Sequence, residues 1–259
     1  MTLHEIRRVR HELRRRTLTV TGVTPLTPKM LRIHLTGDLT GFDSAGFDDH
    51  VKLLLGTPGA GPGEPGAPGE GPRPPMRDYT PRLFDVAAGT LAIDFALHDA
   101  GPATAWAMNA APGDRIGIGG PRGSAIVPDD FDWYLMVGDE TALPAIGRRL
   151  SELRADVPVT VIAAVTGPDE EQSFETRANL TMIWVHRGED RSNDPAPVLA
   201  AIADVPFPPG DGFVWIAAEA SVARAARALI VDTRGHPLAW TKASGYWQHG
   251  QADVSDKLM

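Results

Sequence analysis

A chain of 259 residues, 42% hydrophobic and 22% charged, has enough material for one large or two ordinary globular domains, each with its own core. Its formal net charge of -8 argues against a nucleic-acid partner, whose phosphates call for a basic surface. It has no cysteine, which excludes a disulfide framework, a thiolate nucleophile and a cysteine-ligated iron–sulfur cluster; redox chemistry would belong to an organic cofactor or a bound metal. The histidines are scattered, with no close pair at helical metal-ligand spacing, so no built-in metal site is expected.

The chain opens with six arginines in residues 7–16. No apolar core follows them, as a secretory signal requires, and no later segment has the apolar length to cross a bilayer. The run reads as a solvated, frayed arm, with a membrane or anionic-ligand role as the competing reading. Alternating Leu18 and Val20, then Leu31, Ile33 and Leu35, the run 51–55 and the run 91–95 predict short strands separated by Gly, Pro and Asp. Such strands suggest an antiparallel barrel. Seven glycines and seven prolines fill residues 56–75, which predicts a mobile surface loop between two barrel strands.

Arg77-Asp78-Tyr79-Thr80-Pro81-Arg82 is the most informative stretch. In a strand Arg77 and Tyr79 share one face while Asp78 and Thr80 share the other, and Pro81 favours an extended residue before it. A guanidinium can clamp a pyrophosphate, a tyrosine ring can lie on an isoalloxazine, and a threonine hydroxyl can reach a flavin nitrogen. A strand end whose arginines pair with Asp78 and Asp85 is the competing reading.

Gly101-Pro102-Ala103-Thr104 predicts a turn opening a helix, whose free amides can bind phosphate with help from the Thr104 hydroxyl, while Trp106 fills the core. The glycines near Gly113 and in residues 119–124 permit close backbone approach to a dinucleotide, or make a plain interdomain turn. The boundary is expected within residues 124–132. Beyond it, strands at 133–137, 159–165, 182–185 and 213–217 alternate with helices at 141–155, 197–203 and 221–231, which predicts a parallel sheet flanked by helices. Gly138, Asp139, Glu140, Thr141 and Ala142 then lie where a nucleotide binds, although the polar three would also serve as helix caps. Residues 217–221 form a second such edge, and Gly245-Tyr246-Trp247 would shield a flavin face or plug a seam.

In this order, the stretches at 77–82, 94–98, 101–106, 112–124, 130–150 and 245–247 resemble the siderophore-interacting protein family, FAD-dependent ferric-siderophore reductases related to ferredoxin–NADP reductases. The resemblance implies an FAD-binding antiparallel β-barrel at 1–127 and an NAD(P)H-binding α/β domain at 128–259. It assigns FAD to Arg77, Tyr79, Thr80, Pro81, Arg82, Asp94, Ala96, His98, Gly101, Pro102, Ala103, Thr104 and Trp247. NADPH or NADH would sit on Gly138, Asp139, Glu140, Thr141, Ala142, Ala218, Glu219, Ala220 and Ser221. The ferric siderophore would meet Lys52, Arg148, Arg149 and Lys242, and no side chain would act as acid or base because the flavin carries the chemistry.

Two departures from the family pattern stand out. Ala218 replaces a glycine, which would push a methyl group beside the nicotinamide, and Gln248 replaces an arginine, for which Lys242 would compensate. Asp169, Glu170 and Glu171 favour a free ribose hydroxyl, whereas Arg177 or Arg187 folding back would favour a 2′-phosphate. The implied protein is a cytoplasmic monomer without membrane insertion. A non-catalytic siderophore carrier and a general flavin or quinone reductase are the alternatives. A siderophore esterase finds no support, because the chain has no Gly-x-Ser-x-Gly elbow.

Overall fold

The computed structural model describes residues 4–55, 75–98, 101–250 and 256–258. The Gly/Pro-rich stretch, save Pro75, lies outside the described residues. Ile6–Val127 form one compact unit and Pro128–Met259 the other, with His4 and Glu5 grouped into the latter.

The first unit contains β1 (Arg7–Arg10), β2 (Arg15–Thr27), β3 (Met30–Thr36), β4 (Val51–Leu54), β5 (Met76–Tyr79), β6 (Leu83–Asp85), β7 (Thr90–Ala96), α1 (Pro102–Asn109), β8 (Arg115–Gly119) and β9 (Gly123–Ile126). Seven strands form one antiparallel sheet in the order β5-β4-β8-β2-β3-β7-β6. Alternation decides which side faces inward: Leu18 and Val20, Ile33 and Leu35, Val51 and Leu53, and Ile116 and Ile118 are all buried in one core. The sheet curls enough that Tyr79 on β5 meets Phe95 on β7, ring centroids 4.4 Å apart, and Phe95 in turn meets Trp106 of α1 at 5.7 Å.

The arginine run is not a frayed arm. Arg7 to Arg10 pair with β9, and Arg15 begins β2, because strand pairing satisfies backbone groups that the charged side chains leave untouched.

The second unit contains β10 (Trp133–Asp139), α2 (Leu143–Glu152), β11 (Pro158–Val165), β12 (Asn179–His186), α3 (Ala196–Asp204), β13 (Gly212–Glu219), α4 (Ala220–Ala228), β14 (Thr241–Trp247) and β15 (Asp256–Leu258). The sheet order is β12-β11-β10-β13-β14-β15, parallel except for β15. β10 and β13 are buried along their whole length, as expected for strands covered on both faces. The chain proceeds to opposite sides of β10, first through β11 and later through β13, so strand order reverses there and leaves a crevice at the carboxyl ends. Among the described residues no helix is long and apolar enough to cross a membrane.

Candidate cofactor and nucleotide sites

In the first unit, ladder register puts Arg77 opposite Leu53 and Tyr79 opposite Val51, so both share the inward face, while Asp78 shares the outer face with Lys52. Burial pushes the Tyr79 phenol well above its ordinary value and keeps it neutral. Thr80 and Pro81 are buried beyond the strand end, and the Arg82 amide donates to the Ala92 carbonyl at 2.9 Å, fixing the motif against β7. The rings of Tyr79, Phe95 and Trp106 thus bring three separate motifs, on β5, β7 and α1, into one column.

The α1 helix starts at Gly101 with no side-chain cap, carries Pro102 in its first turn and has no acidic residue there. Its early amides therefore lack the partner that a capping side chain supplies. Thr104 is buried, and its Oγ1 has no hydrogen-bond partner. The exposed His98 ring lies beside Gly101, where a Cβ would stand 3.4 Å from Cε1. An uncapped helix end with an orphaned hydroxyl suits a phosphate, so these residues fit the FAD that the sequence implies.

In the second unit, the Asp139 carboxylate joins three strand ends. Oδ1 accepts from the Thr141 amide at 2.9 Å and the Thr141 hydroxyl at 2.5 Å, and Oδ2 accepts from the Glu219 amide at 2.8 Å and the Trp247 indole N–H at 2.9 Å. Glu219 caps α4, accepting from the Ser221 and Val222 amides and the Ser221 hydroxyl, while its Oε1 accepts from the His249 amide. Burial alone would raise the Glu219 carboxyl, but these donors outweigh it and hold it below its ordinary value. Glu140 pairs with Arg187, which reaches from beyond β12. Burial, and then the Asp139 charge, push the Glu140 carboxyl up against the pull of Arg187. Glu140 Oε1 and Arg187 Nε are buried without hydrogen-bond partners, so this edge retains unused polar capacity.

Residues 19–125 match the siderophore-interacting FAD-binding domain, and residues 131–250 match the siderophore-interacting protein domain. The chain is 38% identical over 247 residues to the NADPH-dependent ferric-chelate reductase of Escherichia coli K12, spanning 93% of this chain and 95% of that protein. It belongs to the siderophore-interacting protein family. The ferric vibriobactin reductase ViuB of Vibrio cholerae is 28% identical over 237 residues, 87% of this chain and 86% of ViuB. A siderophore utilization protein from T. fusca superposes with a TM-score of 0.87 at 36% identity, covering 96% of this chain and 98% of that one.

Within this member of the siderophore-interacting family, several residues stand elsewhere than the sequence pattern suggests. Arg148 and Arg149 are 5% and 6% exposed. Arg148 Nε donates to Glu152 at 2.9 Å, while the Arg149 guanidinium lies 5.0 Å from the Tyr134 ring centroid, so α2 keeps both inside rather than offering them to a siderophore. Lys242 is near the amino end of β14, some five residues before the carboxyl edge at Trp247, about 17 Å along an extended strand. It cannot stand in for an arginine at position 248. Asp94 is 4% exposed and held by Arg32 through two bonds of 2.6 and 2.7 Å, which leaves it committed to β3 and not to a cofactor. The Ala218 methyl is buried and packs in the core with Val214 and Ile216.

Gly138 and Ala142 are also packing residues: a Cβ on Gly138 would come within 2.5 Å of the Ala142 Cβ. Ala142 and Ala220 are buried, so of the residues assigned to NAD(P)H, Thr141 and Ser221 remain partly open. Arg187 does turn toward this edge, but onto Glu140. Arg32 was missed altogether: it stands directly opposite Asp94 in the β3–β7 ladder, a long-range register that composition does not reveal.

One cluster imitates a hydrolase. His11 bridges Asp43 at 3.3 Å and the Ser124 hydroxyl at 2.7 Å. Ser124, however, is 4% exposed and directs its proton to Asp49 at 2.5 Å, while also accepting from the Ala45 amide. Its oxygen is surrounded by partners and shut off from substrate, so the cluster anchors β1 and the 43–49 segment instead of activating a nucleophile.

Proposed function

We propose that this chain is an FAD-dependent reductase that takes electrons from NADPH and delivers them to Fe(III) held in a siderophore. FAD accepts the two electrons of a hydride together and releases them one at a time, which joins a two-electron donor to one-electron iron. One NADPH therefore serves two ferric chelates, giving NADP⁺, one proton and two ferrous ions. Hard oxygen ligands hold Fe(II) more weakly than Fe(III), so reduction frees the metal.

The chain's own residues bind and orient. The amides and Thr104 hydroxyl at the start of α1 would hold the pyrophosphate with Arg77 and Arg82, and the Tyr79 ring and Thr80 hydroxyl would orient the isoalloxazine. Ala96, His98, Gly101, Pro102 and Ala103 would line the same site through shape and backbone. At the other unit, Thr141 and Ser221 would face the nicotinamide nucleotide, with Asp139 keeping the β10, β13 and β14 ends together. The observation that carries this reading is the uncapped α1 terminus with its orphaned buried hydroxyl, inside the part of the chain that matches the FAD-binding domain. The donor is taken as NADPH because the Escherichia coli relative is named for it.

The reductase reading is favoured over the carrier alternative by the relatives named as ferric-chelate and ferric vibriobactin reductases, and by the burial of the Ala218 methyl in the core. The same reading gives a cytoplasmic reaction, where NADPH is held, and a working monomer, which sedimentation of the FAD-loaded protein checks. The decisive experiment is an absorbance spectrum of the purified chain, followed by NADPH oxidation with a ferric siderophore and a ferrous trap. A yellow protein that forms trapped Fe(II) only with NADPH present is expected. Colourless protein that fails to take up added FAD would overturn the reading.

A further inference from the structure

The arginine run of residues 7–16 has no part in the cofactor or nucleotide sites, and strand pairing turns it into a surface. In the β1–β9 ribbon Val9 lies opposite Ser124, which is 4% exposed and bonded to Asp49 and to the Ala45 amide, so that face looks inward. Arg8 and Arg10 alternate to the other face, opposite Ala125 and Gly123. Both arginines are exposed, about 7 Å apart along the strand, and across from them stand only a methyl group and a hydrogen. Two long cationic side chains therefore rise from a low floor, with no ion pair or side-chain hydrogen bond among the described residues.

The turn that follows β1 has an apolar tip. The His11 amide donates to the Arg122 carbonyl at 3.0 Å and the Gly120 amide to the Arg14 carbonyl at 3.1 Å, which pins both sides of residues 12–13. Leu13, held between them, is 57% exposed, and Glu12 pairs with Arg14 at 2.7 Å. Guarding a strand edge against other strands calls for one or two charges and is indifferent to their sign. Here six of the seven formal charges in residues 6–16 are positive, in a chain whose net charge is -8, and an open leucine accompanies them. Charges farther away than about 10 Å are screened, so a surface that touches the ribbon meets the ribbon's charge and not the whole chain's. Exposed arginines beside an exposed apolar side chain suit a layer that is anionic at its surface and apolar beneath. An acidic protein would use the charges but leave Leu13 without a role.

We infer that the β1–β9 ribbon and Leu13 form a docking surface for an anionic lipid membrane. Arg8 and Arg10 supply the attraction, and Leu13 enters the headgroup boundary. The contact is peripheral and reversible, because one leucine and a few exposed arginines hold far less than a spanning helix. The surface stands without the reductase reading, which supplies only its purpose: a chelate that has crossed a membrane would meet the reductase where it enters.

The test is sedimentation of the FAD-loaded protein with vesicles, without NADPH or iron, so its result does not depend on reduction. One vesicle set is phosphatidylcholine alone, and the other is equal parts phosphatidylcholine and phosphatidylglycerol. The wild-type protein should sediment with the mixed vesicles alone and be released by about 1 M salt, where screening acts within about 3 Å. Each arginine near an anionic surface contributes about fivefold, so Arg8→Gln with Arg10→Gln should weaken binding by about twentyfold, whereas Arg8→Lys with Arg10→Lys should keep it within about twofold. Leu13→Ser should weaken it several-fold, by a factor that salt does not change. A urea midpoint equal to the wild type's shows that each variant is folded. Failure to bind the mixed vesicles, equal binding to phosphatidylcholine alone, or binding that either the glutamine pair or Leu13→Ser leaves intact overturns the surface. Retention on immobilised polyglutamate without vesicle binding overturns it too, and gives the ribbon to an acidic protein. Protein that docks in this arginine-dependent way yet reduces no ferric chelate leaves the surface standing and overturns the reductase reading.

Discussion

Single carboxylates set the order of the nucleotide edge. Asp139 is 3% exposed and has all its acceptor capacity taken by four donors, two on Thr141 just past β10, one on β13 and one on β14. An asparagine has the same shape but replaces one acceptor oxygen with an amine, which would face either the Thr141 pair or the Glu219 and Trp247 donors. Asp139→Asn should therefore lose about 2–4 kcal/mol of stability, the range for stranding buried donors. Urea unfolding measures the loss, and Trp247 fluorescence should redden as its indole N–H comes free. A change below about half a kcal/mol would mean that the strand ends hold together without this carboxylate.

At the level of elements, α1 carries a tension between stability and binding. A buried hydroxyl without a partner costs about 1–3 kcal/mol, and Thr104 bears that cost unless a ligand satisfies it. Thr104→Val keeps the shape and removes the polar atom. The FAD-free protein should become more stable by about 1 kcal/mol, and FAD should bind about fivefold more weakly. Thermal unfolding of FAD-free protein and a fluorescence titration with FAD check the two halves; a variant less stable without FAD would show that the hydroxyl serves packing.

This element was legible in the chain because Gly101-Pro102 marks a helix start and Trp106 marks its buried side. The parallel half was legible too, from apolar runs alternating with helical spacing. What escaped was long-range. Leu143, Ile146 and Leu150 mark one apolar face of α2, but residues 143–150 are buried on every side, so Arg148 and Arg149 looked available when they are enclosed. Asp94 looked like a ligand because its partner Arg32 is 62 residues away and meets it only through the β3–β7 register. Ala218 could have been read correctly: period two places it with Val214 and Ile216, which already read as core.

For the molecule as a whole, the chain passes between its two units twice, once at Val127 and Pro128 and once at Glu5 and Ile6. The second crossing is fastened by His4. Its ring stacks on Phe131 with centroids 4.1 Å apart, meets Trp240 edge-on at 5.3 Å, and bonds Asp130 at 2.8 Å and Asp211 at 3.2 Å. Around it, the Asp132 carboxylate holds the Asp211 amide, and Arg154 binds Asp129 and the Phe131 carbonyl. Burial alone would lower the imidazole, but the bonds to Asp130 and Asp211 outweigh it and raise it above its ordinary 6.5.

The sign follows from that direction. A histidine raised on folding contributes stability that is complete below the unfolded value near 6.5 and is lost as pH climbs through the folded value. Both carboxylates are more than a third exposed, so screening limits the contribution to about 0.5 kcal/mol. His4→Gln should consequently trail the wild-type protein in urea midpoint at about pH 5.5 and approach it at about pH 8.5, either side of the titration, with only the ring stacking on Phe131 left to separate them. A gap that is constant across that range would assign His4 to packing alone, and a gap that widens toward the alkaline end would require the imidazole to be neutral in the folded chain.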